Sequence, residues 1–537
     1  MTSQVRTTPE DRTRPARSSR LVIGAVLGMV SAGAGLAVSE LLSGWLHQRA
    51  SPVVALAESV IRLTPGAVIE HVISLVGHND KPLLVSLTLL GLALASSIVG
   101  VLALRNLILA ELIFLIMGVV LATAVHARLT SSPVRYVPAI AGVAVAMFAL
   151  AQLAPRAVRV VSPGPIDTTS PADGASTALA SREQDLSRRR FLATAGVVAA
   201  GALVVGATGR WLARSRAAVE AARHRLRLPI TARPAPSGAD LGVDGVAPWV
   251  TSQQDFYRID TALAVPQVLP AEWRLRIHGM VERELTMTYQ DLLDRGLQQA
   301  WITLCCVSNQ VGGGLISNAS WSGVPIADVL ADVGLHPDAD AVLSTSADGW
   351  TAGTPLSVLT DGRDAMFAVA MNGQPLTLEH GFPVRMVVPG LYGYVSGTKW
   401  VVDLEVSRFD RFSAFWTQRG WSERGPIKTE SRIDVPDDGA HVSAGQVVVA
   451  GVAWAQHTGI DRVEVRIGDG DWQQAKLAIE PTIDSWRQWS YLWSAEPGQH
   501  DISVRATDAS GYTQTGDRAD VVPNGATGWH TISVDVS

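Results

Sequence analysis

The cysteines of the chain are adjacent, in the sequence Cys305-Cys306-Val307-Ser308-Asn309, and the chain contains no others. Neighbouring cysteines rarely form a disulfide, because consecutive α-carbons lie about 3.8 Å apart across a rigid trans peptide and the geometry of the bridge is poor. A thiol that does not pair can bind a metal or react as a thiolate. The pair therefore predicts a metal site or a reactive thiol, and it excludes a disulfide framework.

The composition indicates a protein with a membrane part and several domains. The chain has 537 residues, of which 17% are charged, and its mean hydropathy is positive. Such a chain is too apolar for an ordinary soluble protein, and its length suits about three or four domains. The formal net charge of −5 gives no indication of nucleic-acid binding.

Four apolar runs each approach the roughly 20 apolar residues that a membrane-spanning helix needs. The polar residues 1–20 before them predict a cytoplasmic tail. The mixed stretch 52–77 predicts an amphipathic helix lying at the membrane interface. The four predicted spans are 21–46, 83–104, 107–125 and 137–153.

A fifth candidate helix follows a basic motif. The sequence Ser-Arg-Arg-Arg-Phe-Leu at 187–192 precedes a weakly apolar Gly/Ala-rich run at 193–212. This order is typical of a twin-arginine export signal placed inside the chain; the alternative is an ordinary helix with basic flanks. With the N-terminus inside, the excess of basic residues in the inner loops places everything after 212 outside the cytoplasm. The arginines between 210 and 227 oppose this orientation.

Two folded parts are predicted after a linker at 213–245. In 246–412, short apolar runs alternate with amphipathic segments, which is typical of an α+β domain. After a second linker at 413–437, residues 438–537 contain short strands separated by turn signals, which favours a β-sandwich of immunoglobulin type. The expected fold is an all-α transmembrane bundle over 21–212, of about five helices, followed by these two domains.

Several short motifs occur in one order after Cys306, and the order is more specific than any single motif. The motifs are Cys-Val-Ser-Asn at 306–309, Trp-Ser-Gly-Val-Pro at 321–325, Met-Asn-Gly-Gln-Pro-Leu at 371–376, His-Gly-Phe-Pro-Val-Arg at 380–385 and Gly-Thr-Lys-Trp at 397–400. The set resembles the molybdopterin-binding domain of the sulfite oxidase family, from about residue 256 to about 410.

The C-terminal part contains Gly-Val-Ala-Trp at 451–454, Ile-Asp-Arg-Val-Glu-Val at 460–465 and Val-Arg-Ala-Thr-Asp at 504–508. On these segments it is similar to that family's immunoglobulin-like dimerisation domain.

The resemblance implies that Cys306 is the molybdenum ligand. A thiolate is a soft donor that suits a metal already bound by the dithiolene sulfurs of a pterin. Cys305 aligns with no ligand of the family and is interpreted as structural. Tyr257 and Arg258 align with a segment that lines the metal site, and Arg258 matches an arginine that faces the substrate. The alternative for Arg258 is a simple ion pair with a carboxylate.

The resemblance also implies residues that bind the pterin. Arg385 can offer a planar donor fork to the pterin phosphate, and Lys399 can offer a point charge. His380 would hydrogen-bond the pterin, and Gly397 and Thr398 would donate backbone amides from a turn. The alternative is surface salt bridges and a histidine satisfied within the protein.

Departures from the family pattern predict a less cationic pocket than one built for sulfite. Val452 stands where sulfite oxidases carry a tyrosine before Ala-Trp, and Gln310-Val311 replaces their basic pair. Ile259-Asp260 replaces the Asn-His that follows the substrate arginine. The cofactor is still expected, but sulfite as the substrate becomes doubtful.

No haem is expected in the membrane part. His47 and His126 lie at helix ends on the predicted outer side. A haem would need two such histidines facing each other at similar depth. We interpret them as interfacial histidines without a metal.

The predicted function is a membrane-anchored oxidoreductase with a mononuclear molybdenum–molybdopterin cofactor. The resemblance implies oxygen-atom transfer to or from a small-molecule substrate, with the metal alternating between Mo(VI) and Mo(IV). The expected location is the cell membrane, with several spans and the catalytic domain on the extracytoplasmic side. The electron-transfer partner stays open, a homodimer is possible, and no nucleic-acid partner is expected.

Two alternatives remain. One is a catalytically inactive membrane scaffold or assembly protein that retains the fold, since the tyrosine and the basic pair are missing. The other is a sulfoxide-type reductase that takes electrons from the membrane. The sequence does not separate the oxidase direction from the reductase direction.

Overall fold

The computed structural model describes most of the chain, which divides into two compact units, Met1–Ser215 and Arg216–Ser537. We describe each unit by itself. The described residues are 17–46, 52–64, 80–126, 136–161, 193, 196, 214–262 and 264–537.

The first unit is helical wherever it is described. Four of its helices contain a stretch long and apolar enough to cross a membrane, which confirms that the four predicted apolar runs are helices of spanning length. Large apolar side chains on them point outward, with Ile108 80% and Ile98 68% exposed, as suits a hydrocarbon environment. The helices are α1 (Arg17–Trp45), α2 (Pro52–Leu63), α3 (Asp80–Ala103), α4 (Leu107–His126) and α5 (Val137–Val161).

Two predictions for the first unit are covered only in part. Of the amphipathic helix expected at 52–77, the structure describes the portion Pro52–Leu63, as α2. The basic motif at 187–192 lies outside the described residues. Of the expected fifth helix at 193–212, only 193 and 196 are described, so the export signal stays a prediction.

The second unit begins with an α+β part in which two sheets carry the site. One sheet has the order β2-β1-β10-β5-β6, and the other has the order β3-β4-β7-β8 with β9 paired to β7. The strands are β1 (Arg274–Gly279), β2 (Leu285–Thr288), β3 (Gln298–Cys305), β4 (Ile316–Pro325), β5 (Ala341–Ser346), β6 (Thr351–Pro355), β7 (Met366–Met371), β8 (Gln374–Pro375), β9 (Arg385–Val387) and β10 (Val401–Ser407).

Short helices connect these strands, and a longer helix precedes them. Thr288 begins one short helix with a capping box, in which its side chain and that of Asp291 each accept from the other's backbone amide. The helices are α6 (Arg214–Arg225), α7 (Tyr289–Leu293), α8 (Ile326–Ala331), α9 (Leu356–Thr360) and α10 (Gly393–Ser396).

The C-terminal part consists of two sheets that share one core. Their orders are β11-β13-β17-β16 and β12-β19-β18-β14-β15. Val449 of one sheet and Val504 of the other are fully buried in the same apolar cluster. The strands are β11 (Glu430–Val435), β12 (Ala440–Val442), β13 (Gly445–Trp454), β14 (Ile460–Ile467), β15 (Gln473–Gln474), β16 (Lys476–Leu477), β17 (Arg487–Ala495), β18 (Gly498–Asp508) and β19 (His530–Val536).

Both segments predicted as linkers contain packed structure. In 213–245, Val219 of α6 is buried in an apolar cluster of the α+β part, and Arg223 Nε donates to the Leu376 carbonyl at 2.7 Å. In 413–437, β11 pairs with β13. Both segments are rich in charged residues, so their composition resembles that of a loop even though they pack against the rest of the unit.

Candidate functional site

The end of β3 places the two cysteines. Cys305 is its last residue, pairs with Ile316 of β4, and is fully buried in the main core. Cys306 follows directly, and consecutive side chains of an extended chain point to opposite sides. The Cys306 amide donates to the Leu315 carbonyl at 2.9 Å, and the Asn309 amide donates to the Cys306 carbonyl at 3.0 Å. These bonds fix the backbone on both sides of the Cys306 thiol.

The Cys306 thiol experiences opposing influences. Burial raises the pKa of Cys306 above its ordinary value and outweighs the Ser308 amide and hydroxyl and the charge of Lys399, which lower it. A bound cation would favour the thiolate and oppose the effect of burial. Cys306 is therefore suited to act as a ligand rather than as a free nucleophile.

Asn309 closes the loop that follows Cys306. Its Oδ1 accepts the Leu315 amide at 2.8 Å. Its Nδ2 is buried and has no acceptor among the residues that the structure describes. An unmet donor in the loop that follows Cys306 can serve a polar ligand.

Arg385, in β9, is a buried cation. Its nitrogens reach only carbonyl oxygens at 3.3–3.4 Å, and its guanidinium lies 5.0 Å from the centre of the Trp321 ring. Burial lowers its pKa to about 10, so it stays charged at neutral pH. Within the described part of the chain, no carboxylate forms an ion pair with it. A buried, uncompensated guanidinium suits an anion such as a phosphate.

His380 presents an unmet acceptor to the same region. Its Nε2 lies 3.1 Å from the Gln253 carbonyl, which can only accept, so the proton is assigned to Nε2 and Nδ1 carries a lone pair. Nδ1 is buried with no partner among the described residues. Burial, followed by the charges of Lys399 and Arg385, lowers the His380 pKa to about 3. His380 is therefore neutral at pH 7 and can accept a ligand N–H.

Lys399 and Arg258 share a carboxylate. Lys399 Nζ donates to Asp260 Oδ2 at 3.1 Å and to the Glu379 carbonyl at 2.9 Å. Arg258 Nε donates to the same Asp260 oxygen at 3.0 Å. Burial lowers the Lys399 pKa to about 8, although Asp260 opposes this shift. The sequence predicted both cations but not the role of Asp260, because the lysine lies far along the chain.

The turn at Gly397 differs from its expected role. The Gly397 amide donates to the Gly393 carbonyl at 2.8 Å, which ends α10, so this amide is already used. The Thr398 hydroxyl is buried against Ser344 Oγ at 2.7 Å. A Cβ at Gly397 would lie 3.3 Å from Arg385 Nη2. Gly397 therefore contributes space for the guanidinium.

Tyr257 brings its hydroxyl toward the cysteines. Its pKa is raised, first by burial and then by Cys306 and Cys305. A Cβ at Gly393 would lie 3.7 Å from Tyr257 Oη and 3.8 Å from the Cys305 carbonyl. Gly393 therefore leaves a gap between them, which sequence reasoning missed because this glycine lies outside the recognised motifs.

The C-terminal part closes the other side of β3. Val452 is fully buried in the same core as Cys305, at the position where a tyrosine was expected from the family. Glu430 of β11 is buried, and burial raises its pKa to about 8. Arg432 Nη1 donates to the Gly313 carbonyl at 2.9 Å, so β11 also contacts the loop after Cys306.

Comparison with known proteins identifies a family domain in the part of the chain that contains most of these residues. The family model of the oxidoreductase molybdopterin binding domain matches residues 262–416. The uncharacterised oxidoreductase YuiH of Bacillus subtilis is 30% identical over 154 residues, covering 29% of this chain and 74% of that protein. The chain belongs to the sulfite oxidase family. It is therefore an oxidoreductase with a molybdopterin-binding domain.

The similarity to sulfite oxidases covers a longer stretch of the chain. Mitochondrial sulfite oxidase of Mus musculus is 29% identical over 329 residues, which is 51% of this chain and 59% of that protein. The chain thus spans less than two thirds of the sulfite oxidase that it matches. The solved sulfane dehydrogenase SoxCD from Paracoccus pantotrophus is 22% identical, with a TM-score of 0.47, and covers 57% of this chain and 90% of that chain.

The residues present fit the cofactor that the family implies. A buried cation without a carboxylate, a histidine lone pair and an amide donor match a phosphate and a pterin ring rich in polar atoms. Among the described residues, no three His, Cys, Asp or Glu side chains group to hold a metal. A metal at Cys306 would draw its other ligands from the cofactor, as a dithiolene allows.

Proposed function

We propose that this protein is a membrane-anchored molybdenum-cofactor-dependent oxidoreductase that transfers one oxygen atom between water and a small substrate. The observation that carries the proposal is the buried Arg385 guanidinium, which has no carboxylate partner among the described residues and contacts the backbone carbonyl of His380, a residue whose Nδ1 is unmet. Tyr257 interacts electrostatically with both Cys306 and Arg385, and Lys399 interacts with both Cys306 and His380, which supports a single site.

Each residue has a role in this proposal. Cys306 ligates the metal, and the Ser308 amide and hydroxyl favour its thiolate. Arg385 and Lys399 neutralise the phosphate, and His380 Nδ1 accepts a pterin N–H. Arg258, which is 41% exposed, orients a polar substrate near the Tyr257 hydroxyl.

When bound, the cofactor supplies two-electron oxygen-atom transfer. In the oxidative direction, the substrate gains an oxygen atom from water, and two protons and two electrons leave. In the reductive direction, the oxygen atom leaves as water and the same numbers are consumed. The electron partner is of the quinone class or a small redox protein, as suits an enzyme beside a membrane.

The setting of the site is also proposed. The four apolar helices anchor the protein in the cell membrane, and the catalytic part lies on the extracytoplasmic side. The two C-terminal sheets form an immunoglobulin-type sandwich that supports a homodimer. Export of an already folded domain agrees with a cofactor that is inserted in the cytoplasm.

Metal and pterin analysis of the full chain tests the proposal, with the neighbouring cysteines as a matched pair. We expect about one molybdenum per chain in the wild type, loss of most of it in Cys306→Ser, and retention in Cys305→Ser. A metal-free wild type, or a Cys306→Ser protein with unchanged metal, would contradict the proposal. Turnover with any oxygen donor or acceptor and a redox dye would exclude the inactive-scaffold alternative.

A further inference from the structure

The site contains a carboxylate between two of its cations. Asp260 Oδ2 accepts from Arg258 Nε at 3.0 Å and from Lys399 Nζ at 3.1 Å. The side chains of Asp260 and Lys399 are only 6% and 9% exposed. In such surroundings water screens charges weakly, so a carboxylate strongly reduces the positive potential of its neighbours.

This carboxylate joins a proposed substrate residue, Arg258, to a proposed cofactor residue, Lys399. Arg258 and Lys399 both lower the pKa of His380, so their charges reach the region of its unmet Nδ1, and Asp260 reduces the positive potential there. Arg385 lies in the same region but has no carboxylate partner among the described residues. The negative charge of Asp260 is therefore directed at Arg258 and Lys399, while Arg385 stays available for a phosphate.

We propose that Asp260 is a specificity-determining residue that favours uncharged substrates over anions such as sulfite, by offsetting one of the two positive charges of Arg258 and Lys399. This inference rests on the proposed function. An uncharged sulfoxide meets no repulsion from Asp260 and can accept a hydrogen bond from Arg258. A dianion would need the positive charge that Asp260 removes. The reductive reaction converts the sulfoxide, two protons and two electrons from a quinol or redox protein into a thioether and water.

The chain offers a matched control. Arg408 and Asp410 repeat the Arg-x-Asp spacing, with hydrogen bonds of 3.1 and 3.0 Å, but the Asp410 side chain is 63% exposed. Asp410→Asn removes the same charge from an exposed ion pair. Asp260→Glu keeps the charge at the site, whereas Asp260→Asn removes it with little change in shape.

The experiment uses the full chain and two readouts. Isothermal titration calorimetry measures the dissociation constant of inorganic sulfate, an unreactive dianion. Kinetics measures kcat/KM for sulfite with ferricyanide and for dimethyl sulfoxide with reduced viologen dye. We expect Asp260→Asn to bind sulfate at least about tenfold more tightly and to raise the sulfite-to-sulfoxide ratio of kcat/KM by a similar factor. Asp260→Glu and Asp410→Asn should stay within about twofold of the wild type.

Three other outcomes would contradict the specificity role or the proposed function. Unchanged sulfate affinity in an Asp260→Asn protein with wild-type molybdenum content would overturn the specificity role. Loss of molybdenum in Asp260→Asn alone would make Asp260 a support for the cofactor, and would overturn it too. A wild type without molybdenum or turnover would refute the proposed function, while the sulfate titration would still test Asp260.

Discussion

The two sides of the β3 end differ in how burial affects their charged groups. On the Cys305 side, Glu430 has its pKa raised to about 8 by burial, so protonation removes its charge at pH 7. On the Cys306 side, the pKa of Arg385 falls only to about 10, so its charge persists. Burial alone therefore does not identify a site. A site is identified by a buried group that stays charged at neutral pH and has no ion-pair partner, because such a charge is costly until a ligand binds.

The largest expected effect follows from removing that charge. Arg385→Gln should lower the bound pterin and molybdenum by more than about tenfold, because the phosphate loses its donor fork. The metal-free protein should keep its fold, since among the residues that the structure describes no carboxylate would lose its partner. Molybdenum analysis and the fluorescence of the released pterin measure the loss.

Arg363→Gln is the matched control, because Arg363 pairs with Asp361 at 2.6 Å in the same part of the unit. It should retain the cofactor. Full retention of pterin in Arg385→Gln would show that the guanidinium only supports the packing around Trp321.

A smaller effect is expected on the Cys305 side. The folded pKa of Glu430, about 8 against the usual 4.5, means that the folded state favours the protonated acid. The stability that this proton supplies is fully present below the unfolded pKa of about 4.5, is largely retained at pH 5, and is lost progressively as the pH rises to about 8. We therefore expect the free energy of unfolding of Glu430→Gln, relative to that of the wild type, to be about 1–3 kcal/mol higher at pH 9 than at pH 5.

Thermal unfolding followed by tryptophan fluorescence at both pH values checks this difference. Glu284→Gln is the control, because Glu284 is an exposed partner of Arg276 and should give no pH-dependent gain. An equal effect of the two substitutions would show that Glu430 titrates normally, and the contrast between the two sides of β3 would disappear.

Sequence reasoning succeeded where local pattern decides the structure. The short strands predicted within 438–537 are present, for example Ile460–Ile467, and the four apolar runs form helices. It did not predict β11, which lies in the segment 413–437 expected to be a linker. The charged residues of β11 resemble those of a loop, and its pairing with β13 is visible only in the structure. It also missed the role of Asp260, because Lys399 lies 139 residues away and no local pattern connects them. The Gly397 amide was misjudged because the end of a four-residue helix uses it.

X-ray absorption at the molybdenum edge tests the central claim most directly, because it counts the sulfur atoms bound to the metal. We expect the wild type and Cys305→Ser to show one more sulfur ligand than the dithiolene provides. In the fraction of metal that Cys306→Ser retains, that sulfur should be missing. An unchanged sulfur count in Cys306→Ser would contradict the assignment of Cys306 as the ligand.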